Sequence, residues 1–166
     1  ITGEFSYRET LNQTIDAGEN IIKIPVGDDE ETIHITVKPS GGNSISKKGI
    51  KGADNKSINW EVSINTNLST LKNATVTDPM PEGTTLDNVK IYTQTVDITG
   101  SPKVLGEQLV EGTDYTKNGD VITFIGSYAQ TSKSFKLIYE TTVDESRIPE
   151  AGGDVNYNNT AILTNE

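Results

Sequence analysis

Three side chains in this 166-residue sequence carry complementary chemistry: the amine of Lys47, the carboxyl group of Asp78 and the carboxamide of Asn159. Each falls in an alternating row where an apolar residue is expected. In Ser44-Ile-Ser-Lys47, Ile45 and Lys47 point to one side of a strand. Ala74, Val76 and Asp78 share a face, and Val155, Tyr157, Asn159, Ala161 and Leu163 form a third row. Burying these polar groups separately is costly, so the three should meet. An apolar pocket disfavours charge and can hold Lys47 as a neutral, nucleophilic amine beside a protonated Asp78. Asp78 would then hydrogen-bond the Asn159 carbonyl, polarise it, and carry a proton from the attacking nitrogen to departing ammonia. The product is one amide bond across about 112 positions, a cross-link whose effect on the unfolded chain, by analogy with a disulfide, is about 4–5 kcal/mol.

The same pattern also fits a buried Lys47–Asp78 ion pair capped by Asn159, or a Lys47 whose stem is covered while its amine reaches solvent. Lys48 is a second amine at the same place. Strand parity turns Lys47 inward, and a single bulge before Gly49 would exchange the two.

The elements that must position these groups are strands. Ile58, Trp60, Val62 and Ile64 alternate with Asn59, Glu61, Ser63 and Asn65, the strongest strand pattern in the chain, with Trp60 as core anchor. Ser44–Lys48 precedes it across a Gly-rich turn expected at Gly49–Asn55. Pro79-Met-Pro-Glu-Gly83 ends the strand that carries Asp78. Further strands are expected at Val89–Val96, Lys103–Leu109, Val121–Ile125, Ser134–Val143 and Val155–Leu163, spaced as in a β-sandwich. The first forty residues read as three strands, around Glu4–Thr10, Asn20–Val26 and Glu31–Lys38. Pro39-Ser-Gly-Gly-Asn43 is the expected boundary. Residues 1–40 are then a β appendage or the closing strands of a preceding β-domain, residues 41–166 form the main domain, and the short linker should hold the two close together.

Composition agrees with an all-β chain and narrows its partners. Ser, Thr, Asn and Gly recur throughout and no useful helical periodicity occurs. A formal charge of −10 argues against nucleic acid, whose phosphates call for clustered Lys and Arg. With no cysteine, neither a disulfide nor a thiolate metal site can form, so covalent stabilisation needs other chemistry. No apolar run approaches the about 18–20 residues that span a bilayer, so no membrane contact by this segment is expected. The chain begins at Ile1, as expected of a piece of something longer.

Other candidates are weaker. His34 alternates outward from Ile33 and Ile35 and lacks partners for a triad or a zinc site. Asp28-Asp-Glu-Glu31 lacks the ligand alternation and glycine of a calcium loop. The Asn-x-Ser/Thr sequons at Asn12, Asn55, Asn67, Asn73 and Asn158 suit a chain rich in these residues. Tyr92, Tyr115, Tyr128 and Tyr139 are strand tyrosines of the kind that cover a sandwich edge or line a ligand surface. No metal or cofactor site is expected.

The runs Ser-Ile-Ser-Lys-Lys-Gly (44–49), Ile-Asn-Trp-Glu-Val-Ser-Ile-Asn (58–65), Leu-Lys-Asn-Ala-Thr-Val-Thr-Asp-Pro-Met-Pro-Glu-Gly (71–83) and Tyr-Asn-Asn-Thr-Ala (157–161) resemble the collagen-adhesin-type domain of Gram-positive cell-wall-anchored surface proteins. The resemblance covers about residues 44–166. It implies a variant immunoglobulin-like β-sandwich with an intramolecular Lys–Asn isopeptide bond, in which Lys47 is the lysine, Asp78 the catalytic acid and Asn159 the asparagine. It further implies an extracellular module, anchored elsewhere in its chain, that attaches to host matrix proteins such as collagen or fibrinogen alongside adjacent domains. The alternative is a structural stalk or pilus-type module without a ligand of its own. Neither reading makes the chain an enzyme acting on an external substrate.

Overall fold

The computed structural model describes residues 15–54, 56–79, 88–142, 146 and 159–166. Two antiparallel sheets face each other as an immunoglobulin-like β-sandwich. One has five strands: β3 (Ile45–Lys51), β4 (Ser57–Ile64), β7 (Lys90–Val96), β8 (Pro102–Gln108) and β12 (Ser134–Thr142), in the order β3-β4-β12-β7-β8. The other has four: β6 (Thr75–Thr77), β9 (Tyr115–Asn118), β10 (Val121–Phe124) and β13 (Ile162–Thr164), in the order β13-β6-β10-β9. A short pair, β5 (Leu71–Lys72) with β11 (Gln130–Thr131), lies beside them.

Alternation explains why these segments become strands and which face each one buries. Val62 and Ile64 on β4, Ile91 on β7 and Phe135 and Leu137 on β12 point to Val76, Ile122 and Phe124 of the opposite sheet, and all are 0–1% exposed. The rings of Phe124 and Phe135 stack at 4.5 Å, and Tyr128 meets Phe135 edge-on at 5.4 Å. Burial of this apolar row drives the two sheets together. Trp60 and Tyr139 continue the same row toward one end, directly opposite each other in the β4–β12 ladder.

The N-terminal segment forms a hairpin of β1 (Gly18–Val26) and β2 (Asp29–Val37) joined by Gly27-Asp28. The expected strand around Glu4–Thr10 lies outside the described residues. The hairpin pairs with neither main sheet, and Ile21, Ile33 and Ile35 are each at least 40% exposed. Its base is nevertheless tied down. Ser40 N–H donates to the Ile98 carbonyl at 2.8 Å, and Lys103 binds Asp16 at 2.6 Å. Gly41 and Gly100 touch backbone to backbone: a Cβ on Gly100, at φ +85°, would lie 2.5 Å from the Gly41 carbonyl oxygen.

Three local expectations differ from the structure. The turn expected from Gly49 begins later, because β3 runs through Gly49 to Lys51. Gly49 sits opposite Trp60 in the ladder, and a Cβ there would approach the indole Cζ3 to 2.8 Å. The glycine makes room for a ring instead of turning the chain. Strands β5, β9 and β11, of two to four residues, are too short for alternation to reveal. The last strand begins at Ile162, so Asn159 precedes it, while residues 155–158 lie outside the described residues.

Candidate functional site

Lys47 reaches the interior because the β3–β4 ladder runs without a bulge from Ile45 opposite Ile64 to Lys51 opposite Ile58. Ile45, Lys47 and Gly49 therefore face the core. The Lys47 side chain is 6% exposed, whereas that of Lys48 is 65% exposed and turns to Glu61 at 3.3 Å on the outer face. Parity thus separates the two amines in space: one is buried and the other is solvated.

Asp78 follows β6 by one residue, with Pro79 next in the chain to end the ladder. Its backbone N–H donates to the Asp120 carbonyl at 3.0 Å, and its side chain is 1% exposed. Oδ1 accepts from Lys47 Nζ at 2.6 Å. Oδ2 accepts the Tyr139 hydroxyl proton at 2.7 Å.

Tyr139 occupies the centre of the cluster, and reading strand tyrosines as edge cover misses it. The signal available in sequence is its row: Phe135, Leu137, Tyr139 and Thr141 alternate inward on β12 and all are buried. Its hydroxyl oxygen accepts from Lys47 Nζ and, at 3.0 Å, from Asn159 Nδ2. Asn159 Oδ1 is buried without a hydrogen-bond partner among the described residues. The expected direct contact between Asp78 and the Asn159 carbonyl is thus replaced by a bridge, with Tyr139 standing between acid and amide.

Electrostatics follow from this packing. Burial pushes the Lys47 amine below its ordinary value, opposed by its hydrogen bond to Asp78 and that carboxylate's charge. Burial, with the Asp78 hydrogen bond and charge behind it, pushes the Tyr139 hydroxyl well up, so the phenol keeps its proton. Lys47 Nζ also lies 4.7 Å from the Trp60 ring centroid and 5.1 Å from that of Tyr139. The Trp60 indole is fixed by its N–H bond to Thr141 Oγ1 at 2.8 Å. An amine whose charge is disfavoured by burial, held by a carboxyl group and sharing a hydroxyl with a carboxamide, is an arrangement that can exchange one amide nitrogen for another.

The remaining candidates lie elsewhere. His34 is exposed and meets Glu19 at 2.9 Å on the hairpin surface. Glu30, in the acidic run, meets Lys23 at 2.8 Å. Among the described residues no group of three or more His, Asp or Glu could hold a metal ion, and no helix is long and apolar enough to cross a membrane. A groove of about 460 Å³ beside the outer face of the five-stranded sheet is lined by Ser46, Lys48, Glu61, Ser63, Pro102 and Lys136, and reaches Lys47.

Comparison with known proteins matches residues 42–166 to the family described as the collagen binding domain. Among solved structures, the chain is similar to the MSCRAMM ACE of Enterococcus faecalis, a protein that binds its ligands by the collagen hug model, with 14% identity and a TM-score of 0.48. That match covers 90% of this chain and 59% of the other, so the chain spans about three fifths of that structure. No curated protein sequence matches.

Proposed function

Because the chain belongs to the collagen binding domain family through residues 42–166, we propose that it is a module of a bacterial cell-surface adhesin that supports attachment to extracellular-matrix collagen. In this reading an isopeptide bond between Lys47 and Asn159 stabilises the module, with Asp78 as the catalytic acid and base. The observation that carries the cross-link is the buried junction of Lys47, Asp78 and Asn159 on one hydroxyl, three polar side chains drawn from distant segments into a site lined by Trp60 and Tyr139. A structural ion pair needs no carboxamide beside it, whereas acyl transfer needs one held next to the amine, and Lys47 Nζ and Asn159 Nδ2 share the Tyr139 hydroxyl.

Asp78 takes a proton from the Lys47 ammonium, leaving a lone pair to attack Asn159 Cγ. The C–Nδ2 bond then breaks, ammonia departs, and the chain acts on no external substrate. In a chain without cysteine this bond supplies the covalent restraint that exported modules otherwise draw from disulfides. An extracellular, wall-attached location and neighbouring domains of the same chain belong to the same reading, and the ligand is a collagen triple helix.

Two measurements test it. The intact mass of the purified chain should fall short of the sequence mass by one ammonia, and Lys47→Ala or Asp78→Ala should restore it. A wild-type mass equal to that of the sequence refutes the cross-link. Immobilised collagen should retain the wild-type chain but not a matched globular control, and equal retention of the two refutes the ligand.

A further inference from the structure

We propose that Tyr139 is a catalytic residue of the cross-linking reaction, the proton relay that connects Asp78 to the leaving nitrogen of Asn159. The inference rests on the cross-linking reading above and adds a fourth participant to it.

Asp78 hydrogen-bonds to the amine and the phenol but, among the described residues, not to the amide. Its two oxygens are engaged by Lys47 Nζ and by the Tyr139 hydroxyl, at 2.6 and 2.7 Å, and no hydrogen bond joins it to Asn159 among the described residues. The amide that must leave as ammonia donates instead to the Tyr139 oxygen at 3.0 Å. The nucleophile Nζ also donates to that oxygen. Among the described residues Tyr139 is therefore the one group in contact with the acid, the nucleophile and the leaving group together.

The proton count then assigns its task. Nζ first gives one proton to Asp78 Oδ1 and attacks Cγ with its lone pair, forming the new C–N bond. The tetrahedral carbon can expel Nδ2 only if that nitrogen gains a third hydrogen. Asp78 holds the proton, and Tyr139 stands between: its O–H turns from Oδ2 to Nδ2 and donates there, while the protonated carboxyl group replaces the proton on the phenol oxygen. The C–Nδ2 bond breaks, ammonia leaves and the carbonyl reforms. The surplus proton on the new amide nitrogen returns to Asp78, which ends protonated. Two protons leave the ammonium, one departing with ammonia and one resting on Asp78, and no co-reactant is needed. The relay requires a phenol that is protonated when the step begins, and burial holds Tyr139 in that form.

The position is also built for this role. Tyr139 stacks beside Trp60, with ring centroids 6.5 Å apart, on the ladder rung where the two strands carry them opposite each other. The side chain is buried, so the hydroxyl is oriented by the cluster and not by water.

The test uses the full chain made by in vitro translation, sampled over time by intact mass. Tyr139→Phe keeps the ring and removes the relay, and ammonia loss is expected to slow by about 100-fold or more. Site-specific 3-fluorotyrosine at position 139 keeps shape and hydroxyl but makes the phenol more acidic, so the rate and its pH profile should both shift, which a packing role would not produce. If the wild-type chain loses ammonia and Tyr139→Phe does so at the same rate, the relay is wrong and the cross-link stands. If Tyr139→Phe fails to fold, an unchanged rate and pH profile for the fluorinated chain overturns the relay. If the wild-type chain never loses ammonia, the reading beneath it falls as well.

Discussion

Replacing Asn159 by Ala removes the electrophile while leaving Lys47 paired with Asp78 and Asp78 bonded to Tyr139. The variant therefore isolates the proposed cross-link. Lys47 and Asn159 are about 112 positions apart, and the loop-closure relation used for disulfides gives about 5 kcal/mol at 25 °C for a loop of that length. For a domain of this size about 1 kcal/mol moves the midpoint by about 2–4 °C, so Asn159→Ala should melt about 10–20 °C below wild type. Asp78→Ala removes the proposed catalyst of that bond and in addition leaves the Lys47 ammonium, 6% exposed, without its counter-charge. Breaking a buried pair on one side costs about 3–5 kcal/mol, so this variant should melt a further 6–20 °C or so lower. Scanning calorimetry on samples whose mass has been checked measures both differences. An Asn159→Ala midpoint within a few degrees of wild type would refute the loop argument. Equal midpoints for the two variants would refute the argument from the buried charge.

Lys48→Ala should leave ammonia loss intact and change stability by no more than about 0.5 kcal/mol in urea melts, since its ion pair with Glu61 is largely exposed. Gly49→Ala would push a methyl group against Trp60 Cζ3 and Ile58 Cγ2, costing about 1–3 kcal/mol and slowing the cross-link; ammonia loss at the wild-type rate would show that the indole moves freely. The rate of ammonia loss should rise with pH as Lys47 loses its proton and level off below pH 10.5, because burial lowers its value in the folded chain. Buried phenols add a contribution of opposite sign at alkaline pH. Tyr139 is raised and Tyr128 is pushed up to about 12, so their contribution is complete below pH 10, where unfolded tyrosine begins to ionise, and is lost above it. Tyr139→Phe should therefore flatten the fall in urea-melt stability above pH 10.

Alternation carried much of this architecture in the sequence. Trp60, Val62 and Ile64 read as an inward row and are buried, and Ala74, Val76 and Asp78 share a face that is wholly buried. A polar residue in such a row is conspicuous because periodicity predicts the cost of burying it. Tyr139 is not conspicuous, since a tyrosine suits an inward row, an edge or a surface equally well. Only the pairing of β12 with β4, a tertiary event, brings its hydroxyl to Lys47. Gly49 misleads for a related reason: glycine marks a turn from the chain's own viewpoint, while here the requirement comes from the indole across the ladder.

The ends of the strand orders give the cluster a second meaning. Among the described residues β3 is the outermost strand of the five-stranded sheet and β13 the outermost of the four-stranded one, and Lys47 and Asn159 belong to β3 and to the approach to β13. An outermost strand offers unpaired N–H and C=O groups to any extended chain that meets it. Here two such borders are fastened to each other through Asp78 and Tyr139, so neither can peel outward and recruit a foreign strand without first emptying the buried site. The proposed cross-link at Lys47 would make that fastening covalent, closing both borders to misassembly.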